Sequence, residues 1–212
     1  MVLRKTIVYY TNNREEELFE NKIRENILKI TDLPIISVSQ KPLDFGTNIC
    51  VGDVGYSYLN AFRQLLIGCE AAKTDFIATA ESDCLYPKGY FDFEPTDPDV
   101  IYSYDNVWIL NKKWNRFHKK EQTHGSVMYG RGFLIKLLKE SLAGLPMWSN
   151  EKIKFPFYKP EHKFQLFTGE PIINIITGAN GRRGTVVTGR TKDILPYWGT
   201  TQDVWQNMTS AF

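Results

Sequence analysis

Glu81 and Asp83 stand one residue apart, with Ser82 between them, at the end of the apolar run 76–80 in "TDFIATAESDCLYP" (74–87). Side chains on a strand repeat every two residues, so the two carboxylates are expected to point the same way. Held together they repel, unless something positive sits between them. A hard divalent cation resolves that repulsion. Mg²⁺ or Mn²⁺ typically takes one or two carboxylates and completes its shell with phosphate oxygens and water. The pattern points to a metal on Glu81 and Asp83 with a phosphate-bearing ligand beside it. The plain alternative is that acids at a strand end cap the next turn.

The elements that must position the pair are legible upstream. "KTIVYY" (5–10) reads as a strand that stops at the polar turn "TNNR". A helix should follow, because Phe19, Ile23, Ile27 and Ile30 recur at helical spacing with Leu18 beside them. Asn13 with Glu16 resembles a capping box. "LPIISVS" (33–39) reads as a second strand. A second helix has Ser57 as its cap and Leu59, Phe62, Leu66 and Cys69 on one face. Strand, helix, strand, helix, strand is the grammar of an α/β fold, a mixed sheet, mostly parallel in its N-terminal half and flanked by helices. Ligands on such sheets bind beyond the carboxyl ends of the strands. "TNNR", "SQK" and "ESD" all lie at those ends and should converge on one crevice.

The second half is less regular. The runs 99–104 and 106–110 read as strands around a tight turn, 124–129 as another strand, and "GFLIKLLKESLAG" as a helix ending near Gly144. Residues 151–164 carry two prolines, scattered aromatics and many charges, which suits an ordered loop or lid. The stretch 178–192, rich in glycine and basic residues, is expected to be the most flexible. A single domain over 1–212 is expected, in two halves that divide at about residue 105.

The order of elements and the run "AAKTDFIATAESDC" resemble the nucleotide-sugar half of GT-A glycosyltransferases, which commonly end this strand in an acid-x-Asp motif holding the metal on a nucleotide diphosphate. Arg63, in "LNAFRQ", lies where many relatives carry an arginine. The first acid here is Glu rather than Asp, and the spacing from Arg63 is about two residues longer than usual. "THGSVMYGRGFLIKLL" is similar to the acceptor-side strand and helix of the family. These matches span 5–140, and only the E-x-D neighbourhood is specific. The size and start of the chain also resemble glycosyltransferases that large algal viruses encode for capsid glycans.

The resemblance implies a UDP-sugar donor, a glycan or glycoprotein acceptor and transfer of a hexose-type sugar with Mn²⁺ or Mg²⁺ on Glu81 and Asp83. It implies that Tyr10, Thr11 and Asn12, with Ser39 and Ser82, line the nucleotide, that Arg63 reaches the ribose or a phosphate, and that Arg182 or Arg183 closes over the phosphates. An inverting enzyme also needs a base. Glu170 is the first candidate, since it sits in a turn between two apolar runs, with Asp193 and Glu161 behind it. His124 and His162 are candidates as ligand or base, and Trp108, Trp148 and Trp198 as sugar platforms, with structural roles the plain alternative for each.

Composition limits the rivals. With 26 basic against 24 acidic residues the net charge is +2, which gives no general argument for nucleic acid or an anionic membrane. No run approaches the roughly 20 apolar residues of a membrane helix. Three cysteines without a C-x-x-C pair suggest reduced thiols and a cytoplasmic setting. A sugar-phosphate nucleotidyltransferase would want a glycine-rich first loop, and "YYTNNR" has no glycine. A non-catalytic nucleotide- or carbohydrate-binding module stays open. So does a glycosyltransferase acting on modified DNA, kept alive by the basic residues of 178–192.

Overall fold

In the computed structural model, which describes residues 5–111, 113–120, 124–179 and 187–209, the first half forms β1 (Lys5–Tyr10), α1 (Glu17–Ile30), β2 (Ile35–Ser39), β3 (Thr47–Cys50), α2 (Tyr58–Ala71) and β4 (Phe76–Glu81). Strands β3, β2, β1 and β4 lie side by side and parallel. β1, β2 and β4 are buried along almost their whole length, as strands covered on both faces must be. Alternation along β1 divides the core in two. Ile7 and Tyr9 pack with Phe19, Ile23 and Ile27 of α1, whereas Val8 and Tyr10 pack with Leu59, Phe62, Leu66 and Cys69 of α2. Gly68 lets α2 lie close on the sheet, since a Cβ there would stand 2.4 Å from Cγ1 of Val8.

Ser57 caps α2 as its position predicts, its Oγ accepting from the Asn60 N–H at 3.1 Å. Asn13 does not cap α1. That helix begins at Glu17 without a side-chain cap, and Asn13 takes a left-handed backbone with φ 52°, which asparagine tolerates because its short side chain can hydrogen-bond locally.

The second half contributes β5 (Cys84–Leu85), β6 (Val100–Tyr104), β7 (Val107–Asn111), β8 (Phe117–Lys120), β9 (Val127–Gly130), α3 (Arg131–Ser141), β10 (Lys163–Phe167), β11 (Ile172–Ile176), β12 (Val187–Lys192), β13 (Ile194–Leu195), β14 (Gly199–Thr200) and α4 (Thr201–Thr209). β9, β6 and β10 extend the large sheet, with β9 antiparallel to both of its neighbours. A second sheet runs β12-β8-β7-β11-β5. The mixed α/β class with a mostly parallel sheet is the one expected.

Two further expectations need correction, and one helix was not anticipated. β6 and β7 do not fold back on each other. They form one bent path from the large sheet into the small one, accompanied in parallel by β10 and β11. Asp105 N–H to Phe167 O (3.1 Å) and Ile172 N–H to Asn106 O (2.9 Å) carry the pairing through the bend. The irregular stretch after 151 gives way to strand at Lys163, earlier than the loop assigned to 151–164 allows. Finally, α4 went unread. Its start carries a reciprocal cap, with Thr200 N–H donating to Asp203 Oδ2 (2.7 Å) and Asp203 N–H to Thr200 Oγ1 (3.2 Å). Among the described residues no helix is long and apolar enough to cross a membrane. All three cysteines are free thiols.

Candidate functional site

Because β1, β2 and β4 are parallel, Tyr10, Ser39 and Glu81 end at the same edge of the sheet. Hydrogen bonds tie the loops beyond them together. Asn13 Oδ1 accepts from the N–H groups of Gln40 (2.8 Å) and Lys41 (2.9 Å), which joins the first turn to the second. Tyr10 lies in register with Glu81, and its hydroxyl donates to Glu81 Oε1 at 2.7 Å. The left-handed turn at Asn13 makes the first of these links, so the residue read as a helix cap serves the crevice instead.

The acid pair is held from below. Tyr86 accepts from the Glu81 N–H at 3.0 Å and donates its hydroxyl proton to Gly125 O at 2.6 Å. Ile175 N–H donates to Asp83 O at 2.7 Å, so β11 fixes the backbone of the second acid. Ligand atoms of Glu81, Asp83 and Cys84 lie within 4.8 Å of one another. Burial, and then the Glu81 charge, push the Asp83 carboxyl up to about 7, against the opposing pull of Lys120. Two carboxylates converging at one sheet edge are a donor set suited to a hard divalent ion. Cys84 does not suit one, since burial and both acids hold its thiol well above the ordinary range and therefore protonated. Gly125 is part of the same fit, since it leaves room for the Glu81 carboxylate.

The other sequence candidates divide. Tyr10 joins the acid pair through its hydroxyl. Thr11 is buried, its hydroxyl donating to Glu20 Oε1 at 2.8 Å and its carbonyl accepting from Gln64 at 2.7 Å. Ser39 is likewise closed in, donating to Lys41 O at 2.6 Å and accepting from Asn48 at 2.9 Å. Asn12 turns its Oδ1 to the Arg14 N–H at 3.1 Å, and Ser82 is buried within the triplet. Arg63 faces another loop altogether, its Nη2 donating to the carbonyls of Leu142 (3.0 Å), Leu145 (2.8 Å) and Pro146 (3.1 Å). Those bonds staple α2 to the chain after α3, a structural use of a residue expected at the nucleotide. Arg182 and Arg183 lie outside the described residues.

Neither leading base candidate is brought to the acids. Glu170 is exposed at the bend before β11, where its carbonyl accepts from the Tyr104 hydroxyl at 2.5 Å. From there to Ile175, beside Asp83, the chain runs roughly 15 Å when extended. Asp193 is held by Arg116 at 2.6 and 3.1 Å. It follows β12 at the end where Lys192 pairs with Phe117, away from Lys120. Glu161 is exposed just before β10. His162 accepts from the Lys159 N–H at 3.1 Å. Trp108 is buried, and the Trp198 indole N–H donates to Pro171 O at 2.5 Å.

His124 comes nearer the pair. Its carbonyl accepts from Thr79 at 2.7 Å, its Nε2 contacts the Tyr58 hydroxyl at 3.0 Å and its Nδ1 the Tyr158 hydroxyl at 3.3 Å. Burial holds its imidazole down to about 4, so it is neutral at pH 7. Gly125, Lys120, Asn174 and Tyr86 were missed in the sequence, since nothing in their local spacing separates them from ordinary strand and turn residues. Arg14 is different. It follows the "TNN" turn directly, and its guanidinium lies 4.9 Å from the centre of the Tyr56 ring, joining the first turn to the loop before α2.

No protein-family profile matches the chain, and no curated protein matches it. Among solved structures it is similar to the catalytic domain of Drosophila beta1,4galactosyltransferase 7 in complex with xylobiose, at 15% identity and TM-score 0.43, covering 64% of this chain and 52% of that one. It is also similar to S. aureus TarS 1-349 in complex with UDP-GlcNAc, at 10% identity and TM-score 0.45, covering 85% of this chain and 59% of that one. A third is the bifunctional IspDF from Campylobacter jejuni, at 10% identity and TM-score 0.45, covering 79% and 50%. The chain thus spans between half and three-fifths of the length of each. TM-scores below 0.5 are too low to carry function across, so the residues of the site bear that argument alone.

Proposed function

We propose that the chain is a glycosyltransferase that moves a hexose-type sugar from a UDP-sugar to a glycan or glycoprotein acceptor. One observation carries the reading: Glu81 and Asp83 converge at the carboxyl edge of a parallel sheet, with Tyr10 donating to the first at 2.7 Å and burial raising the second to about 7. Open α/β sheets bind their ligands at this edge.

In the transfer, the acceptor oxygen bonds to the anomeric carbon as the bond from that carbon to the diphosphate oxygen breaks. The electron pair leaves with the diphosphate, and the proton of the acceptor hydroxyl passes to solvent water. Glu81 and Asp83 would hold Mn²⁺ or Mg²⁺, which when bound supplies Lewis-acid charge to the leaving group. Tyr10 and Tyr86 keep Glu81 in place, and Asn174 and Ile175 keep Asp83 in place, so the charge arrangement is set before the donor arrives.

The test is calorimetric titration with UDP, with and without Mn²⁺, on the wild type and on Asp83→Ala. The expected result is binding that requires metal and is lost in the variant. Absence of UDP binding under both conditions sinks the reading. If UDP binds, a panel of UDP-sugars assayed for hydrolysis and transfer identifies the donor and separates an enzyme from a binding module.

A further inference from the structure

Lys120 ends β8, and its ammonium donates to Asn174 Oδ1 at 2.9 Å. Asn174 turns its own N–H groups toward Asp83 O (3.5 Å) and Cys84 Sγ (3.4 Å). The amine thus sits one side chain away from the acid pair. Its charge reaches further: it favours the ionised forms of Asp83 and Cys84 and opposes protonation of His124. Among the described residues, however, its nitrogen meets an amide oxygen and not a carboxylate. A lysine whose task was to neutralise Asp83 would close on it, since a charge-assisted bond to a carboxylate is the stronger contact. Held back by a neutral amide, this ammonium keeps donor capacity for an anion arriving over the pair.

The charge balance says which anion. One divalent ion offsets Glu81 and Asp83 and leaves the diphosphate of a donor uncompensated. That negative charge grows as the bond to the sugar breaks, and preorganised positive charge then lowers the barrier. We propose that Lys120 is a second cation of the donor site, its ammonium contacting a phosphate oxygen of the nucleotide diphosphate and stabilising it as it departs. The inference rests on the donor reading above. Its contribution is charge, with no bond made or broken at the amine.

The experiment compares UDP with uridine, in the presence of Mn²⁺, by ligand-observed NMR and calorimetry on wild type, Lys120→Gln and Lys120→Arg. Loss of a charge-assisted phosphate contact is expected to weaken UDP by roughly tenfold to a hundredfold. Uridine, which has no phosphate, should bind the Gln variant as it binds wild type, and Lys120→Arg should restore most of the UDP affinity. Where the Gln variant does not fold, Lys120→Met takes its place. Unchanged UDP affinity in the neutral variant overturns the inference. So does a parallel loss of UDP and uridine, because that is what a residue that merely braces Asn174 would produce. Failure of the wild type to bind UDP overturns the donor reading and this inference together, whereas the other two outcomes leave the donor reading standing.

Discussion

Gly125 and Glu81 share one space: a Cβ on Gly125 would stand 2.3 Å from Oε2 of Glu81, 2.7 Å from its Cδ and 2.8 Å from its Cγ. The glycine is there so that the carboxylate can lie against the backbone. The hydroxyl of Tyr10 on the other oxygen, at 2.7 Å, then defines its direction.

Gly125→Ala should therefore separate binding from stability. The atoms in the way belong to a flexible side chain, so Glu81 can rotate aside at a cost of about 1 kcal/mol or less for leaving its preferred rotamer. It loses the Tyr10 bond and its alignment with Asp83 in doing so. The expected outcome is a melting temperature within a few degrees of wild type and metal-dependent UDP affinity down by roughly tenfold or more. Differential scanning fluorimetry and calorimetry on the same variant check both halves.

The Asp83 carboxyl makes a prediction about pH. Its folded value of about 7 lies above the ordinary 3.8, so between these values the folded state binds protons that the unfolded state has released. Stability falls as pH rises from about 4 to about 7, and the penalty is constant above. Asp83→Asn removes it. The variant should melt higher than wild type at pH 8 and close to wild type at pH 4. Mn²⁺ should raise the melting temperature of wild type at pH 8 and leave the variant unchanged. A variant that melts lower than wild type at pH 8 contradicts the account.

His124 acts at the other end of the scale. Burial holds its folded value to about 4 against an ordinary 6.5, so unfolding takes up a proton between those limits. Stability is complete above about 6.5 and is lost as pH falls through about 4, approaching ~3 kcal/mol for this group. Chemical denaturation at a series of pH values measures the slope. His124→Gln, which has nothing to protonate, should remove this rise and leave the opposing fall that Asp83 imposes over the same window, whatever its effect on the absolute stability.

Arg63 gives a test of role. Its three carbonyl partners, Leu142, Leu145 and Pro146, make it a brace between α2 and the chain after α3. Hydrogen bonds to a charged donor contribute about 1.5–3 kcal/mol, so Arg63→Met should cost stability of that order and leave UDP affinity unchanged. A variant with wild-type stability and weakened UDP binding would return Arg63 to the nucleotide.

What the sequence determined by itself is the part written in local periodicity. The buried runs at 5–10, 35–39 and 76–80, with helices of 3.6-residue period between them, specify parallel strands. Parallel strands specify that Tyr10, Ser39 and Glu81 end on one edge. Ser57 was legible as a cap because capping is a three-residue event, and the cap of α4 at Thr200 and Asp203 was equally local but overlooked.

Only the tertiary structure decided which residues complete the site. Gly125 meets Glu81, and Asn174 meets Asp83 with Lys120 behind it, across strand pairings far apart in the chain, and no short-range pattern encodes such meetings. The same holds for residues drawn away. Arg63 binds carbonyls of the 142–146 stretch and Asp193 pairs with Arg116, because a long charged side chain takes whichever partner the packed chain brings within reach. Asn13 shows the competition most directly: its spacing to Glu16 favours a helix cap, but Gln40 and Lys41 offer it two N–H donors once β2 lies beside β1. Local preference proposes a partner for each polar group, and the packing of distant segments determines which partners are present.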